Sequence, residues 1–130
     1  MIIGGKVRLR AKKLSDARND YQWQTNPELV QLDATPPLTI SFSQYLFDYT
    51  SELRYPTSNR HIFALETLDG KHIGNCVYYN VDGKKGEVEL GIMIGDRDYC
   101  EKGYGTDTVA TLVKHIFLRT DLNRIYLKTL

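Results

Sequence analysis

The densest run of chemically capable residues is Gly95-Asp96-Arg97-Asp98-Tyr99-Cys100-Glu101-Lys102-Gly103-Tyr104-Gly105-Thr106. It follows the apolar run Ile92-Met93-Ile94 and precedes a helical apolar pattern, so a strand, a glycine-punctuated loop and a helix succeed one another. Backbone N–H groups in such a loop and in the first helical turn lack partners inside the helix, point the same way and lie at the positive end of the helix dipole. An anion is therefore expected at Gly103 to Thr106, held by main chain. Cys100 beside the loop raises a second chemistry, a nucleophilic thiolate whose pKa a helix terminus would lower. No histidine lies near it in sequence and no motif supports it, which disfavours that reading.

Composition narrows what the anion can be attached to. The chain has 130 residues, 42% hydrophobic and 25% charged, with a net charge of +1. That is one domain's worth of chain, with no general attraction to nucleic acid or to an anionic membrane. Two distant cysteines, no signal-peptide pattern after Met1 and no apolar run long enough to span a bilayer make the cytoplasm the expected compartment, with both thiols free. His61, His72 and His115 form no short-spaced pair with each other or with cysteine, so no metal site is expected.

The elements that position the loop follow from periodicity. Val7-Arg8-Leu9-Arg10 alternates apolar and basic, as a strand at a sheet edge does. Ser15 precedes an acidic first turn and Leu14, Ala17 and Tyr21 recur at helical spacing, predicting a helix capped at Ser15 that ends near Thr25. Asn26-Pro27-Glu28 predicts a further short helix through Leu32, broken by Pro36-Pro37. Ser41-Phe42-Ser43-Gln44 has the spacing of a capping box, and Phe42, Tyr45, Leu46, Tyr49 and Leu53 mark one helical face closed by Tyr55-Pro56. Strand-like runs Ile62–Leu65, Ile73–Val81 and Val88–Ile94, joined at Asp69-Gly70 and Asp82-Gly83, predict two consecutive hairpins. Val109, Leu112, Val113, Ile116 and Phe117 form a helical stripe wide enough to lie on a sheet, and Arg124 to Leu130 forms a last strand, parallel to Val88–Ile94 because a helix connects them. The expected class is α+β, one domain with a mixed, mostly antiparallel sheet flanked by helices. The chain stops inside that apolar strand, an edge that a second copy or another chain would cover.

Phosphate loops differ in their side chains. The pattern GxxxxGK[ST] is absent because Lys102 precedes the glycines, and the dinucleotide pattern GxGxxG fails at Thr108 and follows hairpins instead of a first parallel strand. The full order of strand, helix, helix, three antiparallel strands, glycine loop with helix and parallel strand resembles the GNAT family of acyl-CoA-dependent N-acetyltransferases. Their Q/R-x-x-G-x-G/A pattern falls on Cys100-Glu101-Lys102-Gly103-Tyr104-Gly105, and Glu87 to Ile94 is similar to the strand before it. Val7–Arg10 with Leu14–Ala17 further resembles the opening of the subgroup that acetylates ribosomal-protein N-termini, and of related drug and polyamine acetyltransferases. Two departures stand out: Cys100 replaces Gln or Arg, and the chain ends before the family's C-terminal helix and last strand, which commonly carry an Asn and a general-acid Tyr.

The resemblance implies acetyl-CoA as cosubstrate and a small amine or a peptide N-terminus as acceptor. It implies that N–H groups around Glu101, Lys102, Gly103, Tyr104, Gly105 and Thr106 hold the pyrophosphate, and that Ile92, Met93 and Ile94 pair with the pantetheine arm where their strand splays from the last one. A backbone N–H near Met93 would polarise the thioester carbonyl. A base beside the splay is expected at Glu89, which shares a strand face with Glu87; the competing reading makes both glutamates solvent-facing partners of Lys84 or Lys85. Trp23, Tyr45 and Tyr49 are either acceptor-pocket or packing residues, Asp33 is either an amine-attracting or a turn residue, and Tyr104 is expected to pack beneath the loop. The alternative functions are a non-catalytic acyl-CoA-binding module and a subunit completed by another chain.

Overall fold

The computed structural model describes residues 1–26, 38–56, 60–82, 86–119 and 124–127. The chain divides into two compact units, residues 1–11 with 58–129 and residues 12–57. The first holds a six-stranded sheet in sequence order: β1 (Ile2–Ile3), β2 (Val7–Ala11), β3 (Arg60–Thr67), β4 (His72–Asp82), β5 (Glu87–Ile94) and β6 (Arg124–Leu127). Neighbours are antiparallel except β5 and β6, which run parallel with Glu87 opposite Arg124 and Leu90 opposite Leu127. The mixed sheet agrees with the α+β expectation, and the connecting helix accounts for the parallel pair.

Alternation puts one face of the sheet against a helix, here α3 (Tyr104–Arg119; α1 and α2 are described below). Val7, Leu9, Leu65, Ile73, Cys76, Tyr78, Val88 and Leu90 form one buried cluster with Leu112 and Ile116 of that helix. Leu112 and Ile116 lie one turn apart and supply its innermost contacts, whereas Phe117, expected on the same stripe, is 52% exposed. The helix also buries Thr108 and Thr111, whose hydroxyls donate to the carbonyls of Tyr104 and Asp107, each at 2.7 Å. Threonine is tolerated there because its hydroxyl is satisfied four residues back.

The sheet-edge expectation for Val7–Arg10 is corrected. β1 pairs outside it, Ile2 opposite Leu9, so β2 lies inside the sheet. The intervening turn is bound by Asp107 in the first turn of α3, whose carboxylate accepts the N–H groups of Gly5 at 3.2 Å, Lys6 at 2.8 Å and Val7 at 3.1 Å. The helix approaches so closely that a Cβ on Gly4 would run into the Thr111 hydroxyl.

On the opposite face of β2 and β3, Arg8 and Arg10 both donate to the carboxylate of Glu66, the Arg10 bond measuring 2.7 Å. The Glu66 side chain is 4% exposed. Burial by itself would raise its pKa, and the hydrogen bonds and charges of Arg10 and Arg8 overcome this, leaving the carboxyl below its usual range.

The second unit holds α1 (Ala17–Thr25) and α2 (Phe42–Arg54). The expected Ser15 cap is replaced by a 3₁₀ turn, Leu14–Asp16, in which the Asp16 carboxylate accepts the Lys13 N–H at 2.9 Å. Only half of the expected Ser41–Gln44 capping box forms. The Ser41 hydroxyl accepts the Gln44 N–H at 3.2 Å, while the Gln44 side chain turns forward to donate to Asp48 at 2.9 Å. Tyr21 packs on Phe42 and Tyr45 with ring centroids 5.2 and 5.1 Å apart. The Tyr49 hydroxyl donates at 2.7 Å to buried Asp20, which also pairs with Lys12. Burial first, then the Asp20 carboxylate, raises the Tyr45 and Tyr49 phenols well above their ordinary value. These two tyrosines thus serve helix packing. The expected helix to Leu32, its Pro36-Pro37 break, Asp33, the Asp82-Gly83 turn and the chain after Leu127 lie outside the described residues.

The Glu66 cluster makes a pH prediction. Because its folded pKa is depressed, the stability it contributes is present above the unfolded carboxyl pKa and is lost as pH falls through the lower folded value. Glu66→Gln should cost about 1–3 kcal/mol at neutral pH. The gap between its urea midpoint and that of the parent should narrow as pH falls below about 4; a gap independent of pH would contradict the ionised cluster.

Candidate active site

The loop expected to hold an anion joins β5 to α3. Its first part is a 3₁₀ turn, Arg97–Tyr99, capped by Asp96, whose carboxylate accepts the Asp98 N–H at 3.0 Å and pairs with Lys71 at 3.2 Å. Tyr99 and Tyr104 meet edge to face at 5.2 Å, and Tyr104 packs against the core cluster, as expected for a residue beneath the loop.

Two residues then adopt left-handed backbone, Gly103 with φ +87° and Glu101 with φ +60°. Glycine meets this demand freely, whereas a non-glycine residue there stores strain of the kind found at ligand-holding turns. The Gly103 carbonyl accepts the Asp107 N–H at 3.0 Å, so α3 proper begins there. Among the described residues, no backbone N–H from Glu101 to Thr106 has an acceptor within the chain. At Gly105 a Cβ would meet no atom within 4 Å. The loop thus offers donors and open space together, the combination a diphosphate requires.

Cys100 is half-buried, with its sulfur 3.8 Å from the carbonyl oxygens of Ile94 and Asp96. Burial pushes its thiol above the ordinary value; Arg97 opposes this, and Glu101 and Asp96 add to it. A raised thiol is the reverse of an activated nucleophile.

The strand before the loop supplies a backbone edge. Gly95 N–H donates to the Ile73 carbonyl at 2.8 Å, and the Met93 carbonyl lies against Gly74. By the period of two, the peptide groups of Gly91 and Met93 therefore face β4, and those of Ile92 and Ile94 face the β6 side. The N–H groups next to Met93 that point away from β4 are therefore those of Ile92 and Ile94. β5 pairs with β6 from Glu87 to Leu90, and residues 128–130 lie outside the described residues.

Glu89 is half-buried on the face opposite Val88 and Leu90, directly across from Tyr79. The Tyr79 phenol is pushed up by burial, then by its hydrogen bond to Glu89 and by that carboxylate's charge, with Arg60 opposing. Its partner is thus a tyrosine on β4; Lys84 and Lys85 lie outside the described residues. Sequence reasoning missed Tyr79, Lys6 and Asp107. Gly4-Gly5 signalled a tight turn, and an acid in the first turn of α3 suits the dipole, but neither pattern identifies the other as its partner. Among the described residues no group of three or more His, Cys, Asp or Glu is disposed to hold a metal, and no helix is long and apolar enough to cross a membrane.

A family model described as the acetyltransferase (GNAT) domain matches residues 6–130. The chain therefore belongs to the GNAT acetyltransferase family. It is 27% identical over 125 residues to the uncharacterized N-acetyltransferase p20 of Bacillus licheniformis, covering 95% of this chain and 69% of that one. Its fold is similar to that of a GNAT-family acetyltransferase from Bacillus anthracis, with TM-score 0.77 and 15% identity over 97% of this chain and 71% of the other. It is also similar to the spermidine N-acetyltransferase of Vibrio cholerae, solved in complex with CoA and spermine, with TM-score 0.79 and 20% identity over 93% and 69%.

The thiol geometry gives a direct check. Alkylation of Cys100 by iodoacetamide at pH 8, located by mass spectrometry, should be slower in the folded chain than in urea. Faster alkylation in the folded chain would indicate an activated thiolate.

Proposed function

We propose that the chain binds acetyl-CoA through the N–H groups of Glu101, Lys102, Gly103, Tyr104, Gly105 and Thr106 and transfers its acetyl group to a primary amine, either a small amine or a peptide N-terminus. The observation that carries this reading is the run of N–H groups from Glu101 to Thr106, at the start of α3, that have no acceptor among the described residues, beside the open space at Gly105. Membership of an acetyltransferase family supports the acyl donor, and the spermine and CoA bound to the Vibrio cholerae enzyme support an amine acceptor.

Bound acetyl-CoA supplies the activated acyl group. The outward peptide groups of Ile92 and Ile94 pair with the pantetheine arm as an added strand does, with Met93 between them turned to β4. One of these outward N–H groups donates to the thioester carbonyl, where negative charge develops on attack. Glu89 removes one proton from the ammonium, directly or through water, with the Tyr79 hydroxyl fixing the orientation of that carboxylate. The freed amine forms the C–N bond as the C–S bond breaks, and coenzyme A leaves as a thiolate that takes up the second proton lost by the nitrogen. Most of the acceleration comes from holding donor and amine together, an effect that reaches about 7–11 kcal/mol in well-oriented systems.

Thiol release from acetyl-CoA, followed with a panel of polyamines, aminoglycosides and short peptides, tests this reading. Glu89→Gln should leave coenzyme A binding unchanged and lower turnover about 10²- to 10⁴-fold. Unaltered turnover would remove Glu89 from the mechanism, and a parent chain that binds acetyl-CoA but is inert to every amine would favour a binding module.

A further inference from the structure

Lys6 lies 96 residues before the glycine loop yet reaches into it. Its ammonium donates to the Lys102 carbonyl at 2.8 Å and stands 5.1 Å from the centre of the Tyr104 ring. The same nitrogen lies 3.5 Å from where a Cβ on Gly103 would stand, an ordinary contact distance. Its own backbone is held independently, because the Asp107 carboxylate binds the N–H groups of Gly5, Lys6 and Val7. The turn at residues 4–7 and the loop at 102–107 thus clasp each other twice, once through each partner's side chain.

The consequence lies in the peptide joining Lys102 to Gly103. All peptides among the described residues are trans, and in a trans peptide the C=O and the N–H point in opposite directions. Pinning the Lys102 carbonyl to Lys6 therefore turns the Gly103 N–H away from Lys6. The alternative orientation, which a glycine with φ of +87° opposes only weakly, would present a carbonyl oxygen on the side where the donor now stands. An oxygen in that position repels a phosphate that an N–H attracts.

We propose that Lys6 is a positioning residue for the acetyl-CoA pyrophosphate, holding the Lys102–Gly103 peptide in the orientation that donates to the anion. This rests on the assignment of the loop to the pyrophosphate. It adds that the N-terminal turn, which belongs to no phosphate-loop pattern, sets the loop's polarity. The role differs from that of a simple positive charge: a lysine attracting phosphate through space is screened by salt, whereas a lysine fixing a peptide acts through geometry.

The test is calorimetric titration of coenzyme A into the parent chain, Lys6→Met and Lys6→Arg, each at 0.1 M and 1 M salt. Lys6 is exposed and Asp107 holds its backbone separately, so Lys6→Met should keep the parent's melting temperature. Lys6→Met is expected to weaken binding about tenfold at both salt concentrations, and Lys6→Arg, which keeps a donor, to restore most of it. Parent-like affinity in Lys6→Met would overturn the proposal, as would a weakening that disappears at 1 M salt. A parent chain that takes up no coenzyme A would instead overturn the assignment of the loop, and the role of Lys6 with it.

Discussion

A backbone N–H must find its acceptor in the chain, in water or in a ligand, and the donors around the start of helix α3 divide between the first outcome and the other two. Asp107 turns back from the first turn and satisfies three consecutive donors at the sheet's first hairpin. A few residues earlier, the donors from Glu101 to Thr106 have no acceptor among the described residues. The helix thus ties the hairpin down with an acidic side chain while its own first N–H groups keep no partner among the described residues.

The sheet serves the same end. Cross-strand pairing from β1 to β5 consumes the peptide groups of alternate residues, including Gly91 and Met93, and leaves those of Ile92 and Ile94 directed toward β6. In the proposed function an acyl carrier is recognised there by main chain, with little dependence on side-chain identity. Cys100, at the first position of the glycine pattern, is half-buried with its thiol pushed up by burial and its sulfur against the Ile94 carbonyl, so its contribution is to packing.

What could be read from the sequence was whatever local periodicity and glycine encode. The stripe at Leu112 and Ile116, the alternation through Val88 and Leu90 and the Asp69-Gly70 turn each translate directly into an element. The glycine loop likewise translates into left-handed backbone at Gly103. What could not be read were partnerships across the chain. The Asp107 contacts with the 4–7 turn, the Lys6 contact with Lys102 and the Tyr79 contact with Glu89 join residues whose one-dimensional context is unremarkable. The Ser15 cap failed because Asp16, one position later, has the longer reach to Lys13. The edge placement of β2 failed because Ile2–Ile3 is too short for its alternation to register as a strand.

The central claim is that main-chain donors of the Gly103 loop bind the pyrophosphate of coenzyme A. The most direct measurement is calorimetric titration of coenzyme A into the parent and into Gly103→Val, with near-ultraviolet circular dichroism confirming that the variant is folded. Valine at φ +87° forces the loop out of its donor geometry and should lower affinity by at least about tenfold. Equal affinity in a folded Gly103→Val chain would contradict the assignment.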